Sequence, residues 1–131
     1  VARALAQGRF VVALGDDAPD ATLISRSLDL ACATEVAPDV ELGVQGAGLS
    51  GGQAQRVAVA RAFYRHLAGR ASVVALDEPS AALDADTEAR LWRSVRTLAD
   101  AGAAVILISH RESARSIADD VVRLDAAEVT A

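Results

Sequence analysis

Apolar residues recur along this chain at two spacings, and the alternation between them predicts its elements. Residues 1–14 open ambiguously, with the helix formers Ala2, Ala4, Leu5 and Ala6 followed by the β-prone run Phe10-Val11-Val12. Gly15-Asp16-Asp17-Ala18-Pro19-Asp20 is a turn by composition. Over residues 21–34, Leu23, Ile24, Ser27, Leu28 and Ala31 share one helical face. Pro38, Gly43, Gly46 and Gly48 form a loop, after which Val57, Ala60, Tyr64 and Leu67 recur at helical spacing in a helix ending near Gly69. The period then shortens. Val73-Val74-Ala75-Leu76 is an uninterrupted apolar run, as expected of a strand covered on both faces of a parallel sheet. Leu91, Val95 and Leu98 place a helix over 86–100, with Trp92 at its edge, Asp84 or Asp86 as cap and Gly102 as terminator. Residues 105–108 read as a second buried strand, 111–118 as a short helix and 121–124 as a third strand. This alternation implies an α/β domain with a largely parallel sheet.

Composition narrows the possibilities. The 131 residues suffice for one modest domain, and 52% hydrophobic but only 3% aromatic content implies an aliphatic core. A net charge of −5 argues against a broad nucleic-acid-binding face. All thirteen basic residues are arginine. Cys32 is the single cysteine, so no intrachain disulfide forms, and its neighbours Leu28, Ala31 and Val36 suggest a buried structural thiol. No apolar run approaches the ~20 residues that span a bilayer, and Arg9 interrupts the best N-terminal apolar stretch, so a soluble cytosolic chain is expected. The absence of methionine and the abrupt start suggest a piece of something longer.

Candidate chemistry lies at three places. Leu49-Ser50-Gly51-Gly52-Gln53 begins a helix with Ser50 as N-cap, and the two glycines let an anion approach its unpaired N–H groups. The bland alternative is a capped surface helix that happens to begin Gly-Gly. Asp77-Glu78 and Ser109-His110 follow the first two strands, where ligands of parallel sheets bind. An aspartate there can hold magnesium against a nucleotide phosphate, and an adjacent carboxylate can deprotonate water. His110 can hydrogen-bond the terminal phosphate. Strand-ending carboxylates also occur simply because turns are solvated, and Ser109-His110 can equally cap a helix. His66 has no partner in view and reads as surface.

Taken in order, Leu49-Ser50-Gly51-Gly52-Gln53, Leu76-Asp77-Glu78-Pro79, Ser80-Ala81-Ala82-Leu83-Asp84 and Ser109-His110 resemble the nucleotide-binding domain of ATP-binding cassette proteins over most of residues 15–130. By that resemblance Ser50, Gly51, Gly52 and Gln53 match the signature that binds ATP across a dimer, and Asp77 the Walker B aspartate that holds Mg2+ through water. Glu78 matches the catalytic glutamate, Ser80, Leu83 and Asp84 belong to the D-loop, and His110 matches the switch histidine. Gln55-Arg56, Ala60-Arg61-Ala62 and Val44-Gln45-Gly46-Ala47-Gly48 are similar to the exporter branch, and the tract 43–61 to exporters of cysteine or glutathione in cytochrome bd assembly.

The resemblance implies the C-terminal part of a RecA-like P-loop core plus a helical subdomain. Residues 15–68 would be that subdomain with the signature helix, and 69–131 the core part. It also implies ATP and Mg2+ as cofactors and a second cassette paired head to tail. An exporter's transmembrane domain, at the cytoplasmic side of the inner membrane, would be a further partner; no nucleic acid is implied. A chain without lysine cannot contain the phosphate loop G-x-x-x-x-G-K-[S/T]. The adenine-stacking aromatic is missing too, and Gln7 lies too close to Gly15 for the family's Q-loop. The chain therefore resembles the portion of a cassette beginning near that loop, and alone it is expected not to hydrolyse ATP. The strand at 73–77 would keep an open apolar face. A non-catalytic remnant that pairs with a complete cassette, or a non-transport cassette ATPase, are the alternatives.

Overall fold

The computed structural model describes residues 19–37 and 49–123. Helix α1 spans Ala21–Leu30, α2 Gly51–Leu67, β1 Val73–Asp77, α3 Ala85–Asp100, β2 Ala104–Ile108 and α4 Glu112–Arg115. Gln7, Phe10-Val11-Val12, Gly15-Asp16, the tract 43–48 and the tail from Leu124 lie outside the described residues.

Each long helix starts on a side-chain cap. Asp20 accepts from the Thr22 and Leu23 amides, Ser50 from Gln53, and Asp84, rather than Asp86, from Asp86 and Thr87. Each also ends in the same paired reverse bonds. Cys32 N–H donates to Asp29 and Ala33 N–H to Leu28; Gly69 and Arg70 do so to His66 and Arg65, and Gly102 and Ala103 to Ala99 and Leu98. This C-terminal motif needs a left-handed residue, supplied by Gly69 at φ 69° and Gly102 at φ 101°. At α1 a cysteine takes that place, with Cys32 at φ 55°. The first helix therefore stops at Leu30, four residues short of the sequence expectation, because its terminator is not the glycine that announces one.

Strands β1 and β2 pair in parallel from Val73 opposite Ala104 to Asp77 opposite Ile108. Helix α2 packs on α1 and β1, and α3 on β2 and α1. Val74 and Leu76 are buried beneath them with Val57, Ala60, Phe63, Leu91, Trp92, Val95 and Leu98. Coverage of both strand faces is not observed: Val73, Ile106 and Ile108 are each half exposed or more, so one face of the ladder is open. The third strand is not formed over 121–123. Arg96 on α3 donates to both Asp119 carboxylate oxygens (2.9 and 3.0 Å) and to the Ile117 carbonyl (3.4 Å). Those bonds draw the segment against the helix and away from a sheet edge, and Val122 is left 83% exposed. The short helix predicted over 111–118 is α4, a single turn. Cys32 is buried as expected. His66 is not a free surface residue: half-buried, its Nδ1 lies 2.9 Å from the Ala71 carbonyl.

Candidate functional site

The parallel register brings the C-terminal ends of both strands level. Strand alternation leaves Asp77 exposed on the open face. Glu78 then leaves the strand with φ 42°, a conformation uncommon outside glycine. Its N–H donates to the Ile108 carbonyl at 2.9 Å, one step beyond the ladder. Its carbonyl accepts from the Gln55 side-chain amide and from the Ala81 N–H. Its carboxylate Oε1 accepts from the His110 N–H at 3.2 Å and meets the His110 Nδ1 at 2.8 Å. A carboxylate only accepts, so Nδ1 carries the proton and Nε2 faces outward on a ring 82% exposed. This imidazole bond is the main reason the Glu78 carboxyl titrates below its ordinary value. The other oxygen, Oε2, is buried and has no partner.

The following turn is built inward rather than toward a ligand. Pro79 and Ser80 are buried, the Leu83 N–H donates to the Ser80 carbonyl at 3.0 Å, and the Leu83 side chain packs on the core. The Asp84 carboxylate, capping α3, is held below its usual range chiefly by the Thr87 amide. Ala81 and Ala82 remain at the surface.

At the start of α2, Ser50 Oγ accepts from Gln53 N–H (3.2 Å) while Gln53 Oε1 accepts from Ser50 N–H (2.8 Å). This reciprocal box occupies the polar groups of Ser50 and of the Gln53 backbone and leaves the Gly51 and Gly52 amides with no partner among the described residues. A methyl group on Gly51 would meet nothing within 4 Å. One on Gly52 would lie 3.4 Å from Ala82 Cβ, so the turn leans on the 80–84 loop. Arg56, one turn on, pairs with Glu35 behind α1.

Two clusters therefore emerge from the predicted residues: the α2 turn beside Ala82, and the Glu78–His110 pair with Asp77 next to it. Among the described residues no three His, Cys, Asp or Glu groups converge as a metal site. Three residues beyond the expected site organise it. Gln55 connects the two clusters, and Glu88 with Ser113 braces the second. The Glu88 carboxylate, buried in α3, accepts from Arg111 Nη1 at 2.6 Å and from Ser113 Oγ at 2.5 Å, while Trp92 Nε1 donates to Ser113 Oγ at 3.1 Å. Glu88 was detectable in advance, because it lies three and seven residues before Leu91 and Val95 on the apolar stripe of α3.

No family model matches the chain. It is 44% identical over 91 residues, 70% of its length, to the cyclolysin secretion/processing ATP-binding protein CyaB of Bordetella pertussis. It is 37% identical over 112 residues, 81% of its length, to an ATP-dependent lipid A-core flippase of Cupriavidus pinatubonensis. A solved bacterial Atm1-family ABC exporter with ATP bound superposes over 82% of the chain, with TM-score 0.64 and 32% identity. The chain belongs to the ATP-binding cassette family. It covers 12% of CyaB, 18% of the flippase and 19% of the Atm1-family exporter chain. This cassette sequence also superposes on the dimeric cassette MJ0796 with TM-score 0.52 and 26% identity, over 73% of its own length and 38% of that chain. Its α/β fold is thus that of the P-loop cassettes, and its named relatives are a secretion ATP-binding protein and an ATP-dependent flippase. Among the described residues no helix of the cassette is long and apolar enough to cross a membrane.

Proposed function

We propose that this chain is the signature-bearing part of an exporter-type cassette ATPase, and that its α2 turn closes on a nucleotide held by a second cassette. The observation that carries the reading is the pair Gly51 and Gly52. Neither has positive φ, and neither is crowded enough to exclude a side chain, so the fold does not explain them. Among the described residues their amides at the helix start are unpaired and nothing stands over Gly51, which suits a phosphate.

The remaining residues fit the same group. Bound Mg-ATP supplies a terminal phosphate open to attack by water. The buried, unpartnered Glu78 Oε2 is an acceptor for that water's proton. His110 Nδ1–H holds the opposite oxygen of the same carboxylate, so its Nε2 is turned outward, toward a phosphate or its water. Asp77, exposed and next in line, is the carboxylate for a hydrated Mg2+, an ion that keeps several waters and takes one or two carboxylates. Ser80, Leu83 and Asp84 shape the loop that presents Ala81 and Ala82 beside the glycine turn. Residues 15–68 form the helical subdomain with the signature helix, and 69–131 the core part. The partners are a second cassette, head to tail, and an exporter's membrane domain, with the cassette at the cytoplasmic side of the membrane.

The 131 residues contain no lysine for a phosphate loop, so the chain by itself turns over no ATP and acts by completing a partner's site. The test is capture of a complete, ATP-loaded cassette by the immobilised chain, with ATPase measured on the chain alone. Capture that needs ATP and is lost in Gly51→Glu supports the proposal. Capture indifferent to ATP, or turnover by the isolated chain, refutes it.

A further inference from the structure

Gln55 reaches from the helix carrying the glycine turn to the hinge of the strand-end carboxylate. It lies two residues beyond the Gln53 of the capping box, at the fifth position of α2, and is half-buried. Its Nε2 donates to the Glu78 carbonyl. That carbonyl belongs to the residue whose left-handed φ of 42° turns its carboxylate from the strand's pleat onto His110. Glu78 is thus fixed on three sides: its N–H on Ile108, its carbonyl on Gln55 and Ala81, its carboxylate on His110. The Ile108 and His110 contacts come from the β2 end and the Ala81 contact from the adjacent turn. Only the Gln55 contact comes from α2. A left-handed non-glycine residue persists only where its surroundings over-determine it. Removing the α2 contact frees the peptide to relax.

We infer that Gln55 is a positioning residue that locks Glu78 onto His110 and makes the Gly51–Gly52 turn and the carboxylate–imidazole pair move as one body. The coupling part of this inference rests on the function proposed above; the positioning part does not. A phosphate drawn onto the α2 start then bears through Gln55 on Glu78. The link is a short physical path between the turn that meets the partner's nucleotide and the strand-end carboxylate of this chain.

The test uses the full 131-residue chain labelled with 15N and 13C, as wild type, Gln55→Ala and Gln55→Glu. The second variant keeps the size of the side chain but offers a carboxylate that cannot donate. In the wild type, the Gln55 side-chain amide is expected to exchange slowly and to show a through-hydrogen-bond coupling to the Glu78 carbonyl. In both variants the His110 ring should lose its Nδ1–H preference, and the His110 amide should exchange at least about tenfold faster. The melting temperature, which a purely structural role would lower, should change little. Unaltered His110 signals in the variants, or a wild-type Gln55 amide without the coupling, overturn the positioning role, the second even if neither variant folds. Adding an ATP-loaded complete cassette tests the coupling: His110 signals should shift in the wild type and stay still in Gln55→Glu. Equal shifts in both overturn it. If the wild type fails to pair while Gln55→Glu still frees His110, the proposed function fails and the positioning role stands.

Discussion

Replacing Glu88 by alanine removes the only carboxylate set into the apolar face of α3, and the structure fixes what that costs. Two bonds end on it, from the Arg111 guanidinium at 2.6 Å and the Ser113 hydroxyl at 2.5 Å. Hydrogen bonds to a charged group contribute about 1.5–3 kcal/mol each when buried. The Arg111 side chain is 34% exposed and can rehydrate, so its bond belongs at the low end. Ser113 keeps Trp92 as a donor but loses its acceptor. The sum is about 3 kcal/mol, which for a chain of this size lowers the melting temperature by roughly 10 °C.

The pH dependence has a definite sign. Ser113's hydrogen bond, above all, holds the Glu88 carboxyl below its ordinary value of 4.5 in the fold. Its contribution is therefore complete above pH 4.5 and is lost as pH falls through the depressed value. Thermal denaturation of wild type and Glu88→Ala at pH 7 and at pH 3 should show the gap between them narrowing in acid. As a control, Asp100→Asn breaks the exposed Arg96 pair and should leave the transition where it is. A Glu88→Ala loss below about 1 kcal/mol, or a gap that widens in acid, refutes the buried-network reasoning.

Gly51→Ala and Gly52→Ala should each raise stability by a few tenths to about 1 kcal/mol, since alanine is the better helix former and space is available. The same changes should weaken ATP-dependent capture of a complete cassette, a separation read by melting and pull-down together. His110→Ala should return the Glu78 carboxyl upward toward its ordinary value, followed by carboxyl 13C NMR. Stability contributed by the pair is present above the unfolded carboxyl value and lost as pH falls through the folded one, so the variant should be less acid-sensitive. Burial pushes the Cys32 thiol up, so its modification by a maleimide at pH 7 should be much slower than that of a free thiol and should accelerate with denaturant.

Much of this was legible in the sequence, for reasons that differ by element. Ser50, Asp84, Gly69 and Gly102 mark helix ends because capping depends on residue types that few other jobs require. The motif residues announced their clusters through order and spacing. Elsewhere the signal was silent or misleading. Cys32 ends a helix in a conformation its side chain does not favour, which composition cannot show. The run at 121–124 has strand-like residues, but a strand is a pairing, and the sequence could not show that Arg96 would draw Asp119 to α3. For β1 the apolar run pointed to cover on both faces and the resemblance, lacking the phosphate-loop part, to an open one; the open face is observed, because the second face depends on what else lies against the ladder. Gln55 looked only like a mark of the exporter branch, since a side-chain bond to a distant carbonyl leaves no periodicity.

The two neighbouring carboxylates show why residue type alone does not assign chemistry. Asp77 and Glu78 are adjacent, and the period of a strand would send them to opposite faces. Asp77 follows that rule and stays in water on the open face, free to meet a hydrated ion. Glu78 would, by the same rule, point with Val74 and Leu76 into the core, where an unpaired charge is not tolerated. Its left-handed turn avoids that outcome and delivers one oxygen to His110 while leaving the other sheltered and unbonded. The hinge is thus the condition for two unlike carboxylates at one strand end. It holds only because β2, the 80–84 loop and α2 all grip the same residue.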